Sequence, residues 1–163
     1  MFKKLKPDQM VESVCDIKLD ELMRRGISNI IIDLDNTLIP WGEEYIIPEV
    51  YQWIKAGQEM GFKFCIVSNG SFKRIRHFAS KFGMLAASKR GKPLSRAFKN
   101  AMMTLEGNKH NTAVIGDQIF TDILGGNMLD LYTILVEPIS KKEFIGTRIM
   151  RFFEKTIAKR RRP

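Results

Sequence analysis

The sequence predicts a three-layer α/β fold, doubly wound around a mostly parallel sheet of five strands. Three observations predict it. Short apolar runs at 28–33, 62–67, 84–87, 111–115 and 131–136 alternate with segments of helical periodicity. The connections are short, and a strand–helix–strand rhythm implies parallel strands with crossover helices covering both faces. At 163 residues, with 44% hydrophobic and 28% charged side chains, the chain supports one domain with a full core and is too short for two. Residues 1–143 are read as the core of that domain. Residues 144–163 are read as an amphipathic helix and basic tail belonging to it.

The elements follow in order. Residues 8–25 read as helical, with Val11, Val14, Leu19, Leu22 and Met23 as the apolar stripe and Gly26 as the stop. Three consecutive isoleucines, Ile30 to Ile32, make 28–33 the first strand. Residues 36–47, with Pro40, Trp41, Gly42 and Tyr45, form a loop at its carboxyl end. Pro48 can open a helix as its first residue, and Val50, Trp53, Ile54 and Met60 follow at helical spacing. The second strand, 62–67, is apolar apart from Lys63. Ser68-Asn69-Gly70 is a turn into a helix over 72–82 whose outer face is basic (Lys73, Arg74, Arg76, Lys81). After the short strand 84–87, a basic loop leads to Lys92-Pro93 and a helix over 94–106. Strand 111–115, the turn Gly116-Asp117-Gln118, a helix over 119–128 and strand 131–136 complete the pattern.

Composition excludes several classes. Two cysteines, Cys15 and Cys65, make neither a disulfide scaffold nor a zinc-ligand set. No apolar run approaches the ~20 residues of a membrane span, and no apolar core follows the basic start as in a signal peptide. The expected location is the cytoplasm. The net charge of +9 is concentrated in residues 141–163, which hold nine basic and two acidic groups. Between Glu59 and Glu106 there are ten Lys or Arg residues and no acid. Such a field favours an anionic partner.

Chemistry enters at the strand ends. Side chains at i and i+2 share one side of a strand, so Asp33 and Asp35 are expected together, and two like charges that close call for a cation or a proton. Ser68/Asn69, Lys92 and Asp117/Asp122 stand at or just after later strand ends. A parallel sheet gathers these positions at its carboxyl edge. Acids there suit a divalent cation such as Mg2+, which prefers carboxylates, waters and phosphate oxygens. A carboxylate can attack a phosphoryl group and divide one difficult displacement into two easier ones.

Asp33-Leu34-Asp35-Asn36-Thr37-Leu38, Ser68-Asn69, Lys92 and Gly116-Asp117-Gln118-Ile119-Phe120-Thr121-Asp122 resemble, in order, the four motifs of the haloacid dehalogenase (HAD) superfamily. The Gly-Asp-Gln and Thr-Asp pattern, short length and basic tail are most similar to the class IIIA, YqeG-type phosphatases, relatives of phosphatidylglycerophosphate phosphatases. The resemblance implies a Rossmann-like HAD fold and a Mg2+-dependent phosphomonoesterase working through an aspartyl-phosphate. It implies Asp33 as nucleophile and Asp35 as general acid/base with its backbone carbonyl on the metal. It implies Asp117 as a further metal contact, and Asp122 as an acid behind the metal contacts or a metal contact through water, with direct contact left open. Ser68, Asn69 and Lys92 would form the phosphate cradle. An acid at position 35 implies phosphatase or phosphotransferase rather than dehalogenase chemistry.

The spacings from Asp35 to Ser68 and from Asn69 to Lys92 leave no room for a cap domain, so an open site is expected. That suits a substrate that is large or carried on a surface, and phosphatidylglycerophosphate at the membrane is named first. A soluble nucleotide or sugar phosphate, or a phosphoprotein, is the alternative substrate. A non-catalytic HAD-fold binding or regulatory protein is the alternative of another class. The C-terminal segment, with Phe and Ile on one face and Lys and Arg on the other, is read first as a helix packed on the sheet. Its second reading is peripheral contact with anionic lipid at the inner face of the membrane. No stacking platform or recognition helix points to nucleic acid. The sequence leaves oligomeric state open.

Overall fold

A computed structural model of the chain describes residues 2–87 and 95–140. Six strands are present among them: β1 (Gln9–Val11), β2 (Asn29–Ile32), β3 (Lys63–Ile66), β4 (Leu85–Ala86), β5 (Thr112–Gly116) and β6 (Tyr132–Val136). They form one sheet in the order β1-β6-β5-β2-β3-β4, and every neighbouring pair is parallel. β2 lies inside the sheet, with Ile32 in register with Ile66 on one side and Ile115 on the other.

Strand alternation divides the core. Ile30, Ile32, Phe64, Ile66 and Ile115 point to the face covered by α1 (Leu19–Arg24), α2 (Pro48–Glu59) and α3 (Phe72–Phe82), where they meet Leu22, Trp53, Ile54, Phe78 and Phe82. Ile31, Cys65 and Val114 point to the opposite face and meet Ala97, Phe98 and Ala101 of α4 (Ser95–Thr104). α5 (Leu124–Met128) lies close to that layer. A Cβ on Gly125 would come within 2.3 Å of the Phe98 ring, and one on Gly126 within 2.6 Å of Thr133. Close approach therefore explains a Gly-Gly pair inside a helix. No helix among the described residues is long and apolar enough to cross a membrane.

Two expectations are corrected. The sheet has six strands rather than five, and residues 8–25 are not one helix. Asp8 accepts hydrogen bonds from the Thr133 backbone N–H (2.8 Å) and hydroxyl (3.2 Å), laying Gln9–Val11 along β6 as an edge strand. Ser13 then caps a 3-10 turn, Val14–Asp16, in a reciprocal box with Asp16, which interrupts the backbone before α1. Val14, Ile17, Leu19 and Leu22 are all buried. Of the expected stripe, Val14, Leu19 and Leu22 are buried, carried by the 3-10 turn and α1, whereas Val11 lies half-buried in β1 and Met23 is exposed. Lys92 and the expected C-terminal helix at 144–163 lie outside the described residues.

Two measurements follow from this packing. Thr133→Val removes a fully buried hydroxyl that anchors Asp8 and should lower unfolding free energy by about 1–3 kcal/mol in urea titration. Burial pushes the Cys65 thiol up to about 12, whereas Cys15 is exposed. Ellman's reagent should therefore label one thiol quickly in native protein, and Cys15→Ser should abolish that fast phase.

Candidate active site

The carboxyl ends of β2 and β5 adjoin, and the acids follow from that adjacency. Asp33 leaves β2 with its backbone N–H still donating to Ile115 of β5 (3.0 Å). Asp117 leaves β5 directly after Gly116. Asp122 arrives from a single π-helical turn, Ile119–Ile123, in which the Ile123 N–H reaches back five residues to the Gln118 carbonyl (3.2 Å). This turn folds Asp122 back over Gly116. An ideal Cβ on Gly116 would stand 2.2 Å from the Asp122 carboxyl carbon, so any side chain there would displace the acid. The Gln118 N–H donates to Asp122 Oδ2 (3.2 Å) and fixes its orientation.

Asp33, Asp117 and Asp122 are buried, and each offers an oxygen within 4.8 Å of the others. At an effective dielectric of ~20, two carboxylate charges at such a separation repel by about 3 kcal/mol. Three hard oxygen donors so placed fit a divalent cation of the Mg2+, Mn2+ or Ca2+ type. Thr37 donates to Asp117 Oδ1 (3.5 Å), linking the loop after β2 to the same cluster.

Asp35 is differently placed. β2 stops at Ile32, so strand alternation does not carry through Asp33 to Asp35, and Asp122 rather than Asp35 completes the carboxylate trio. Asp35 Oδ1 instead accepts from Arg74 Nη2 (2.9 Å) and from the Gly42 N–H (3.4 Å). Ser68 is buried just beyond β3, with its Oγ accepting from the Gly70 N–H (3.4 Å), and Asn69 is exposed beside it. The carboxyl edge thus gathers Asp33, Asp35, Ser68, Asn69, Asp117 and Asp122.

Two residues at this edge escaped the sequence reading. Asn36 has φ +63°, a left-handed conformation that Asn tolerates better than most residues. Its Oδ1 accepts from the Trp41 N–H and from the N–H and hydroxyl of Ser140. It ties the loop after β2 to the segment after β6. A conformationally tolerant Asn after two acids was a weak signal, and its long-range partners gave none. Arg74 read only as part of a basic helix face, because nothing local distinguishes an inward-reaching arginine from its solvated neighbours.

Comparison with known proteins agrees with this geometry. The model of the haloacid dehalogenase-like hydrolases matches residues 26–130. Over 151 residues the chain is 37% identical to the "Probable phosphatase YqeG" of Bacillus subtilis (strain 168), covering 93% of this chain and 88% of that protein. It is 30% identical over 156 residues to "Phosphatidylglycerophosphate phosphatase 1, chloroplastic/mitochondrial" of Arabidopsis thaliana, covering 89% of this chain but 45% of that longer protein. Among solved structures, an uncharacterized protein from Listeria monocytogenes serotype 4b superposes with a TM-score of 0.56 at 17% identity, covering 75% of this chain and 88% of the other. The cobalt-bound deoxy-D-mannose-octulosonate 8-phosphate phosphatase of Haemophilus influenzae gives 0.51 at 18% identity, with 70% and 80% covered. At those identities the structural likeness establishes the fold.

The packing of Gly116 under Asp122 is open to a direct test. Gly116→Ala should weaken Mn2+ binding by about 10–100-fold in calorimetry, as loss of a ligand's support does elsewhere. The circular dichroism spectrum should stay that of the wild type.

Proposed function

The chain belongs to the haloacid dehalogenase-like hydrolase family and is a phosphatase, and from that premise we propose a Mg2+-dependent phosphomonoesterase working through an aspartyl-phosphate on Asp33. The observation that carries this reading is the buried trio Asp33, Asp117 and Asp122, with oxygens within 4.8 Å of one another at the adjoining carboxyl ends of β2 and β5. Asp33, Asp117 and Asp122 would hold the cation through their side chains, and Asp35 through its backbone carbonyl. When bound, Mg2+ supplies the positive charge that lets an anionic nucleophile approach an anionic phosphate.

The Asp33 carboxylate forms a bond to phosphorus as the ester P–O bond breaks. Asp35 gives its proton to the departing alcohol oxygen. It then takes a proton from water, which attacks the acyl phosphate, releases inorganic phosphate and restores Asp33. Ser68, Asn69 and Lys92 hold the phosphoryl oxygens, and Lys92 offsets charge that develops on them.

For the substrate we infer a phosphate on a large or surface-held alcohol, with phosphatidylglycerophosphate first. The name of the Arabidopsis relative, the basic segment 141–163 and the short spacings that exclude a cap support this choice. Contact of that segment with the inner face of an anionic membrane would bring enzyme and lipid together.

Hydrolysis of p-nitrophenyl phosphate should require Mg2+ and vanish in Asp33→Asn. Asp35→Asn should lower turnover of an alkyl phosphate by about 10²–10⁴-fold. Mg2+-loaded wild-type protein inactive on every ester, with Asp33→Asn retaining its role in cells, would favour the non-catalytic alternative. For the substrate, phosphate release is compared between anionic vesicles containing phosphatidylglycerophosphate and a soluble sugar phosphate. Faster release from vesicles, lost on deleting residues 144–163, is the expected result. Equal rates would favour a soluble ester.

A further inference from the structure

Arg74 lies outside the acidic trio and the phosphate cradle, yet it joins two parts of the active-site edge. Its backbone is set in the first turn of α3, where its N–H donates to the Ser71 capping hydroxyl (3.3 Å). Its guanidinium lies 5.0 Å from the ring centroid of fully buried Phe78, one turn along. From that platform Nη2 donates to Asp35 Oδ1 (2.9 Å) and to the Glu43 carbonyl (2.8 Å). The Gly42 N–H meets the same Asp35 oxygen. One residue back, the Trp41 N–H is held by Asn36. Residues 41–43 are therefore strapped across Asp35 by three successive backbone contacts. The side chains of Arg74 and Asp35 are only 23% and 19% exposed, so water competes little for this contact.

We propose that Arg74 is a positioning residue that fixes Asp35 and the 41–43 strap as one unit, and that this unit aligns the proton donor with the departing alcohol. The inference rests on the reading of Asp35 as general acid. Asp35 Oδ1 is the oxygen occupied by Arg74 and Gly42. Oδ2 lies on the side of Gly70, where Ser68 Oγ also lies: each is 3.8 Å from the ideal Cβ position of that glycine. Holding one oxygen thus turns the other toward the turn assigned to the phosphoryl group. A planar guanidinium can meet a carboxylate and a carbonyl at once while stacked on a ring, whereas a lysine ammonium lacks that shape. Misalignment of a reacting group by about 1 Å is enough to cost on the order of 100-fold in rate.

The test exploits the leaving group. Breaking an alkyl P–O bond requires a proton delivered to oxygen, but p-nitrophenolate leaves without one. Arg74→Ala should lower kcat/KM for glycerol phosphate by about 100-fold and for p-nitrophenyl phosphate by no more than about threefold. Arg74→Lys should recover little, and added guanidinium ion should partly rescue Arg74→Ala on the alkyl ester. Equal losses on both esters, or full activity in Arg74→Lys, would overturn the alignment role. A wild-type protein inactive on both esters would overturn that role together with the phosphatase reading. The strap is measured without catalysis. Acrylamide quenching assigned to Trp41, as the difference between each protein and its Trp41→Phe counterpart, should increase in Arg74→Ala. Unchanged quenching would overturn the strap.

Discussion

The parallel pairing of β2 with β5 is the interaction on which the active-site edge depends. Asp33, Asp117 and Asp122 are brought within 4.8 Å by the backbone, not by attraction among themselves. The force that holds them there is distributed through the core. β2 and β5 are locked in register from Asn29↔Thr112 to Ile32↔Ile115, with β2 fully buried, so the acids that follow must emerge side by side. Burial of each isoleucine contributes about 1.5–3 kcal/mol. The run of three in β2 therefore anchors the strand from which Asp33 emerges.

The third acid depends on a different device. The Gln118 carbonyl accepts from the N–H groups of both Asp122 (2.9 Å) and Ile123 (3.2 Å), which closes the turn that carries Asp122. The absence of a side chain at Gly116 then leaves the space that the Asp122 carboxyl group occupies. Backbone geometry and a missing methyl group together put a sequence-distant acid beside Asp33. On the other side of the edge, Asn36 and Arg74 control the loop after β2 by hydrogen bonds to its backbone. The carboxylate-facing and loop-facing halves meet in the segment from Asp33 to Thr37, where Thr37 contacts Asp117 and Asp35 contacts Arg74.

The fold was largely legible in the sequence because its signals are local. β-branched runs, a proline opening α2 and glycines closing α2 and α3 report short-range preferences, and the parallel topology follows from their alternation. The first 25 residues were misread for an equally physical reason. Their apolar spacing suits a helix, but Asp8 is drawn to Thr133, 125 residues away, and pairing along β6 outcompetes helix propensity over so short a segment. Strand β1 has no period of its own to betray it.

The sequence by itself determined the acids, their order, the buried strands that carry them, and a chemistry consistent with a phosphatase. Residue type and spacing are enough for those, since hardness of donors and alternation of elements are properties of the chain. Only the tertiary structure decided which carboxylates share a site. It grouped Asp122 with Asp33 and Asp117, and it gave the Asp35 side chain to Arg74 and Gly42. Those choices depend on how a turn winds and where a helix face points after packing, and neither is encoded in the few residues that make the contact.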